Sequence, residues 1–319
     1  MTLAEVTTID THYTGQPEFA AAYLIEDGGE WAFVETNTSA AVPGLLEALA
    51  ARGATPEAVR YVIITHIHLD HAGGAGTLMA ACPNATLLAH PKAAVHAIDP
   101  SRIIAGARKV YGEAKFDELY GEVLPIASER VEALDDGAEV ELGSRTLRFL
   151  HTRGHANHHF CVADAGASAV FTGDSFGLLY PALQRGGVLA LASTTPTDFD
   201  AEAARTTLDR LLGLGLERVF PTHYGEHREL EAAAAQLHAQ LERYAAIVDE
   251  GDRSGRTKAE LDQYCLDEAR LVIDGVLDSR GLGGDASAHA LVETDWRLNA
   301  QGLAFAVQKR RYKRDKARA

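Results

Sequence analysis

The stretch YVIITHIHLDHAGGAG, residues 61–76, decides the fold of this chain. Residues 61–64 are aromatic or β-branched, which is typical of a buried strand, and the glycines of residues 73–76 allow a tight turn into a helix. Between them lie four metal-binding side chains: His66, His68, Asp70 and His71. Because α/β proteins carry their chemistry on loops at the C-terminal ends of strands, the sequence predicts a metal site here.

The spacing of these side chains has a physical interpretation. Residues two apart in an extended chain face the same way, so His66 and His68 can offer imidazole nitrogens to one metal. Asp70 and His71 follow the bend and point to a second position. A solvated, histidine-rich loop is the alternative interpretation, but the density of ligands favours a metal site.

The motif H-x-H-x-D-H resembles that of the metallo-β-lactamase superfamily of metal-dependent hydrolases, in which a distant His, Asp and His follow. His155 comes after the run TLRFLH, Asp174 lies in VFTGDSFG and His223 lies in RVFPTHYG. Each follows an apolar run beside a Gly or Pro turn, in the order that the superfamily shows. The resemblance covers about residues 5 to 227, and all of the motif positions match.

The resemblance implies two metal positions. It assigns His66, His68 and His155 to one metal, Asp70, His71 and His223 to the other, and Asp174 to both. Five imidazoles and two carboxylates suit Zn²⁺ and would also hold Fe or Mn. A metal pair about 3.5–4 Å apart can share a water and lower its pKa to roughly 7. We therefore expect two Zn²⁺ per chain and a bridging hydroxide, which Asp70 orients and whose proton it shuttles.

Further residues near these motifs receive expected roles. Tyr180 and Tyr224 are candidate catalytic donors to a developing oxyanion, because lactonases of this fold use a tyrosine in that way; packing is the alternative for each. His159 matches the second histidine of the superfamily pattern GH-x-x-x-H, so we expect it to be buried and to hydrogen-bond rather than to bind metal. The remaining histidines near the motifs are expected to be structural: His90, His151, His158 and His227.

The favoured function is hydrolysis of a small-molecule ester, thioester or lactone, and a phosphodiester comes second. The segment DSFGLLYPALQRGG, residues 174–187, does not reproduce the Gly/Cys/Arg-containing run of the glyoxalase II branch. Flavodiiron proteins commonly carry Glu at the position of His68. The alternative from another class is a mononuclear iron oxygenase of the persulfide dioxygenase type, in which two histidines and an aspartate bind one iron. A non-catalytic module with a structural metal is the third hypothesis.

Strand-like and helical segments alternate along residues 5–227, which indicates an α/β fold. Two groups of strands, near residues 5–64 and 131–172, predict two sheets, and the resemblance makes them a four-layer αββα sandwich. Ser39 is expected to N-cap a helix that runs to about Arg52. The apolar residues of 98–124 have helical spacing and predict either a packed helix pair or a wall or lid over the site. Residues 176–198 read as a long loop.

The composition changes to helix after His227. We therefore predict a metallo-β-lactamase-like domain over residues 1–227 and a helical C-terminal region over residues 228–319. An apolar seam predicts the first helix: Leu230, Ala234, Leu237, Leu241, Tyr244 and Val248. Thr257 and Glu260 form a capping box for the next, and a last helix is expected from about Ala290 to Lys309. These helices are expected to pack on the sandwich or to form a homodimer.

Length, composition and charge limit the possible class, location and partners of the protein. The chain has 319 residues, 46% of them hydrophobic, enough for a large core. The sequence contains neither a basic start with an apolar signal region nor an apolar run of membrane-spanning length, so we expect a cytoplasmic protein. Three scattered cysteines indicate reduced, buried thiols. A net charge of -15 disfavours nucleic acid as a partner, and the basic tail from residue 309 onward is expected to be frayed and solvated.

Overall fold

The computed structural model describes residues 3–318. The chain divides into two compact units. The first comprises the described residues up to His151 together with His158–Gly173 and Leu216–Arg228, and the second comprises Thr152–Asn157, Asp174–Gly215 and the chain from Glu229 onward. Both units are therefore discontinuous in sequence. The domain boundary between residues 227 and 228 stays a prediction.

The first unit contains a six-stranded mixed sheet in the order β1-β2-β3-β4-β5-β6. Its strands are β1 (Val6–Asp10), β2 (Ala21–Asp27), β3 (Glu30–Val34), β4 (Val59–Ile63), β5 (Thr86–Ala89) and β6 (Val131–Ala133). The first three run antiparallel, and β3 to β6 run parallel. Gly28 and Gly29 connect β2 to β3 with φ of 61° and 84°, which matches the tight hairpin predicted from EDGGE.

The second sheet of this unit has five strands in the order β11-β10-β9-β8-β7. They are β7 (Glu139–Leu142), β8 (Arg145–His151), β9 (Phe160–Asp164), β10 (Ala169–Gly173) and β11 (Arg218–Pro221). All neighbours are antiparallel except β10 and β11, which are parallel. Parallel pairing brings the C-terminal ends of β10 and β11 to one edge of the sheet.

The two sheets share an apolar core. Tyr23 and Phe33 come from the first sheet, and Phe149, Phe160 and Phe171 come from the second; all five are fully buried. Tyr23 belongs to the inner cluster together with the three phenylalanines of the second sheet, whereas Phe33 faces the helices on the other side. Alternation of this kind along β2 and β3 is what a sheet buried on both faces requires.

Helices of the first unit cover the outer face of the six-stranded sheet and carry the residues after β4. They are α1 (Val42–Ala51), α2 (Leu69–Ala72), α3 (Ala75–Ala81), α4 (Pro91–Ile98), α5 (Ser101–Tyr111) and α6 (Glu113–Tyr120). Leu45 and Leu49 of α1 and Leu78 of α3 are fully buried against the sheet. The helix pair α5–α6 confirms the helical spacing predicted for residues 98–124.

The second unit is helical. It contains α7 (Ala201–Leu212), α8 (Leu230–Arg253), α9 (Lys258–Ser279), α10 (Ala286–Leu291) and α11 (Glu293–Arg318). The seam predicted along α8 is buried from Leu230 to Val248. Thr257 and Glu260 form the predicted capping box of α9, and Asp200 caps α7 by accepting from the Ala203 amide at 3.1 Å. The buried seam packs α8 against α7, α9 and α11.

Side-chain amides hold the long loop that follows Asp174. Gln240 on α8 donates to Ala190 O at 2.8 Å and accepts from the Ala192 amide at 3.0 Å. Asn299 on α11 donates to Ala192 O at 2.9 Å and accepts from the Thr194 amide at 2.7 Å. Because the loop has little regular structure, these amides satisfy backbone groups that burial would otherwise leave unpaired.

Two local predictions were wrong. Ser39 does not cap a helix: α1 begins after Ala41 without a side-chain cap, and the Ser39 hydroxyl donates instead to Glu122 O at 2.6 Å. The basic tail is helical through residue 318 rather than frayed, since α11 extends well past Lys309. Arg310 pairs with Asp249, and Arg314 contacts Asp252 at 2.7 Å, so acidic side chains of α8 neutralise part of the tail.

Candidate metal centre

The predicted motif lies where the sequence analysis expected it. β4 ends at Ile63, and His66 to His71 follow on the loop and on α2. His66 and His71 are fully buried, and His66 Nε2 lies 2.9 Å from His68 Nδ1. The tight turn needs glycine for space: a Cβ on Gly73 would lie 2.4 Å from Leu69 O. The backbone thus folds back on itself and concentrates the imidazoles in a small volume.

Asp70, His71 and His223 form a three-residue group whose ligand atoms all lie within 4.8 Å of one another. Asp70 Oδ2 is 3.7 Å from His71 Nε2 and 3.5 Å from His223 Nε2. Two imidazoles and one carboxylate converging in this way are a common donor set for a catalytic divalent metal. The residues of this group therefore fit a zinc-sized cation.

A hydrogen bond on the side of the ring away from Asp70 fixes the orientation of His223. β11 ends at Pro221, and His223 follows within two residues, at the C-terminal edge of its sheet. Its Nδ1 hydrogen-bonds Phe19 O at 2.8 Å, which leaves Nε2 on the side of Asp70. A backbone carbonyl in this position selects the tautomer that presents Nε2 as a ligand.

Glu35 contacts the candidate site, and the sequence analysis missed it. Its side chain is almost completely buried, and its Oε1 accepts from Thr65 Oγ1, from Thr222 Oγ1 at 3.1 Å and from His71 Nδ1 at 3.3 Å. A carboxylate behind a histidine orients the ring and raises its basicity. The available signal was an acidic residue directly after the apolar strand β3.

His159 is buried, as expected, and its ring lies 4.8 Å from that of His66. Gly173 explains the close packing there, because a Cβ at that position would lie 2.5 Å from both His159 Nε2 and Thr65 Oγ1. The hydrogen-bonding role assigned to His159 stays a prediction. The rings of His90 and His151 lie 4.1 Å apart, tilted by 37°.

His155 and Asp174 belong to the second unit. His155 Nε2 lies 3.5 Å from Asp174 Oδ2, and both side chains are almost completely buried. Ser193 lies between them, with its Oγ 3.2 Å from His155 Nδ1 and 3.4 Å from Asp174 Oδ2. A cavity in this unit is lined by all three. The sequence analysis missed Ser193, which lies in a segment without periodic pattern.

Gly154 fixes the position of the chain just before His155. Its φ is 128°, and a Cβ there would lie 2.3 Å from Ala204 Cα on α7. Its carbonyl accepts from the Asp200 amide at 2.9 Å. Only glycine allows so close an approach, so the helix and the ligand-bearing turn are held together.

The two tyrosines with expected catalytic roles lie in different surroundings. Tyr180 is buried in the second unit, and its hydroxyl is 3.3 Å from Asp295 Oδ1 on α11. Tyr224 is partly buried in the first unit, where burial, with smaller effects from Asp10 and Glu18, raises its pKa to about 12. The Tyr224 phenol therefore stays protonated at neutral pH, as a hydrogen-bond donor must.

Sequence comparison assigns the class. The family model of the metallo-β-lactamase superfamily matches residues 15–223. The chain therefore belongs to the metallo-β-lactamase superfamily. The predicted fold class is confirmed: two mixed sheets with helices, followed by a C-terminal helical region.

Individual relatives are distant. The chain is 26% identical over 204 residues to a beta-lactamase-like protein 2 homolog of Caenorhabditis elegans, covering 63% of this chain and 54% of the relative. It is 29% identical over 154 residues to an atrochrysone carboxyl ACP thioesterase of Aspergillus chevalieri, covering 48% of this chain and 39% of that protein. The matched segment thus spans about half or less of these curated relatives.

Solved structures show the same fold. The crystal structure of an archaeal metallo-beta-lactamase superfamily protein from Sulfolobus tokodaii superposes with a TM-score of 0.66 at 19% identity, covering 95% of this chain and 99% of that one. A metallo-beta-lactamase family protein from Thermus thermophilus gives 0.60 at 20% identity, covering 91% and 93%. Separately, none of the helices within residues 3–318 combines the length and apolar character needed to cross a membrane.

The three cysteines are buried thiols, as the sequence analysis predicted. Cys82, Cys161 and Cys265 are all buried, and none of them forms a disulfide. Burial raises the pKa of Cys82 to about 11 and that of Cys265 to about 12. These two thiols therefore stay protonated at neutral pH and are poor nucleophiles.

Proposed function

We propose that this protein is a binuclear metal-dependent hydrolase of small-molecule esters, thioesters or lactones. The convergence of Asp70, His71 and His223 within 4.8 Å carries the proposal. The family of the chain supports it, because the superfamily consists mostly of metal-dependent hydrolases.

We assign the ligands as the superfamily pattern implies: His66, His68 and His155 to one metal, Asp70, His71 and His223 to the other, and Asp174 to both. Zn²⁺ suits this thiolate-free set of imidazoles and carboxylates, and Fe or Mn are the alternatives. When bound, such a pair lowers the pKa of a water and polarises the bond to be cleaved.

Residues of the chain orient the nucleophile, transfer its proton and position the metal-binding histidines. The side chain of Asp70 is 27% exposed and so accessible to solvent, and we assign it the orientation of the nucleophile and the transfer of its proton. Glu35 and Phe19 O hold His71 and His223 through their Nδ1 atoms, so each ring presents Nε2. Preorganised ligands need no rearrangement when the reaction begins.

The substrate class rests on chemistry and on one relative. The Aspergillus chevalieri relative is named as a thioesterase that acts on an acyl carrier protein, and a thioester carbonyl is within the range of the proposed chemistry. Catalytic roles for Tyr180 and Tyr224 as oxyanion donors, a cytoplasmic location and a homodimer through the C-terminal helices are further parts of the proposal.

The proposal is tested by metal analysis and substrate screening on one sample. The metal content of the protein is measured as purified and again after loading with zinc, and both forms are assayed against thioesters, lactones, aryl esters, phosphodiesters and, with oxygen uptake followed, a persulfide. Two metals per chain with ester, thioester or lactone turnover support the proposal. One iron per chain with oxygen consumption on a persulfide would replace it with an oxygenase, and exclusive phosphodiester turnover would replace the substrate class.

A further inference from the structure

Three tyrosines from separate segments of the first unit pack around Leu69, the residue that directly precedes Asp70. Tyr13 lies between β1 and β2, Tyr111 ends α5 and Tyr120 ends α6. All three belong to one apolar cluster with Leu69 and Phe116. We call Tyr13, Tyr111 and Tyr120 the tyrosine wall.

Two glycines set the ends of the helices that carry the wall. Gly112 follows Tyr111 directly with φ 80° and ψ 161°, and Gly121 follows Tyr120 with φ 60° and ψ -132°. Glycine adopts such conformations readily, and other residues rarely do. The sharp turns bring the two helix ends together, with the rings of Tyr111 and Tyr120 5.8 Å apart.

The wall continues a row of rings that begins at a proposed metal ligand. The His223 ring lies 5.8 Å from Phe19, and Phe19 stacks on Tyr13 at 6.2 Å with 20° between the planes. On the inner side, Tyr120 packs on Phe116 at 5.4 Å. Phe116 and Tyr120 are buried, whereas Tyr13 and Tyr111 are partly exposed. The outer two tyrosines therefore present ring surface to solvent next to the reacting centre.

We propose that the tyrosine wall binds an aromatic acyl group of the substrate and so makes this hydrolase selective for aromatic over saturated acyl chains. The inference rests on the proposed function, because it takes Asp70 and His223 as ligands of the reacting centre. Aromatic rings pack on one another in offset or edge-on arrangements with a gain beyond the burial of apolar area. A saturated ring of the same size gains the burial without this additional term.

The test uses two carboxylate probes that differ only in the ring. Phenylacetate and cyclohexylacetate are titrated into the zinc-loaded full-length protein by calorimetry, without turnover. We expect phenylacetate to bind about three- to tenfold more tightly. Tyr111→Leu should bring the ratio of the two dissociation constants towards one, whereas Tyr111→Phe, which keeps the ring, should retain it. Tyr312→Leu, at an exposed position on α11, is the matched control and should leave the ratio unchanged.

Each outcome decides the inference. A wild-type ratio near one, or a ratio that Tyr111→Leu and Tyr13→Leu both leave unchanged, overturns it. Thermal unfolding of the zinc-loaded variants verifies that they fold, and Tyr13→Leu decides the inference if Tyr111→Leu does not fold. The ratio of dissociation constants is measured without turnover. If the protein discriminates between the probes but hydrolyses no ester, the proposed hydrolase function is refuted and the inference about the tyrosine wall stands.

Discussion

Replacement of Glu35 by glutamine should weaken metal binding without unfolding the protein. Glu35 Oε1 accepts from Thr65, from Thr222 at 3.1 Å and from His71 Nδ1 at 3.3 Å. Glutamine has the same shape and keeps an acceptor oxygen, but it lacks the negative charge. Hydrogen bonds to a charged group contribute about 1.5–3 kcal/mol, and neutral ones contribute about 0.5–1.5 kcal/mol.

The difference between these two values, about 1–1.5 kcal/mol, corresponds to roughly a five- to tenfold loss of affinity. This loss reaches only the lower end of the 10- to 100-fold effects typical of residues behind a metal-binding histidine, because glutamine keeps an acceptor oxygen. The affinity of each site is measured by competition with a chromogenic zinc chelator. Glu35→Gln should weaken the site that contains His71 and leave the melting temperature of the metal-free protein within a few degrees of wild type.

The control is Glu30→Gln at the start of β3, the strand that Glu35 follows, where Glu30 pairs with Arg60 at the surface. This variant should bind zinc as the wild type does. Equal zinc affinity of Glu35→Gln and wild type would refute the role assigned to Glu35. Glu35→Ala, by contrast, should destabilise the fold by several kcal/mol, because it leaves three buried donors without their acceptor, at about 1–3 kcal/mol each.

Three further predictions concern single side chains. Asp70→Asn should fold normally and lower turnover by roughly 10²-fold or more; unchanged turnover would remove Asp70 from the mechanism. His223→Ala should halve the metal content measured by elemental analysis, and full occupancy would remove His223 from the site. Burial lowers the pKa of His90 to about 4, so its contribution to stability is constant above about pH 6.5 and is lost as the pH falls from there towards 4. His90→Asn retains the helix cap that His90 provides to the Lys92 amide and should reduce this acid sensitivity, on the order of 3 kcal/mol, in chemical unfolding at pH 4.5 and 7; identical curves for both proteins would contradict it.

The metal motif could be predicted from the sequence because its geometry depends only on neighbouring residues in the chain. Alternation along a short extended segment sets which of His66 and His68 face together, and nearby glycines set the turn. Glu35 was not predicted as a site residue because its contacts depend on strand pairing across the sheet. Val34 is in register with Ile63, so Glu35 comes to lie beside Thr65 and near His71. A contact between residues 36 positions apart leaves no pattern in the local sequence.

The two wrong predictions have related causes. Ser39 has the residue type of a cap, but its hydroxyl lies closer to Glu122 O and Thr77 than to the amides of α1, so a tertiary contact replaced the local one. The tail was expected to fray because it is strongly basic. Lysine, arginine and alanine are nevertheless good helix formers, and the acids at Asp249 and Asp252 compensate the charge.

The tyrosine wall was only partly foreseeable. Helical spacing predicted that residues 98–124 pack as helices, and a wall over the site was one of two interpretations. The partner Tyr13 lies about a hundred residues earlier, in a segment without any pattern. Convergence of phenol groups from such distant segments depends on the tertiary fold and cannot be obtained from periodicity.

The amide contacts between the loop after Asp174 and helices α8 and α11 restrict how this gene can recombine with others. Gln240 and Asn299 each donate one hydrogen bond to the loop backbone and accept one from it. A recombination event that exchanged the helices without the loop, or the loop without the helices, would leave both partners mismatched. Segments so interlocked are expected to pass between genes together, so that a chimera joined at residue 228 would be less viable than one that carries residues 174–215 with its own helices.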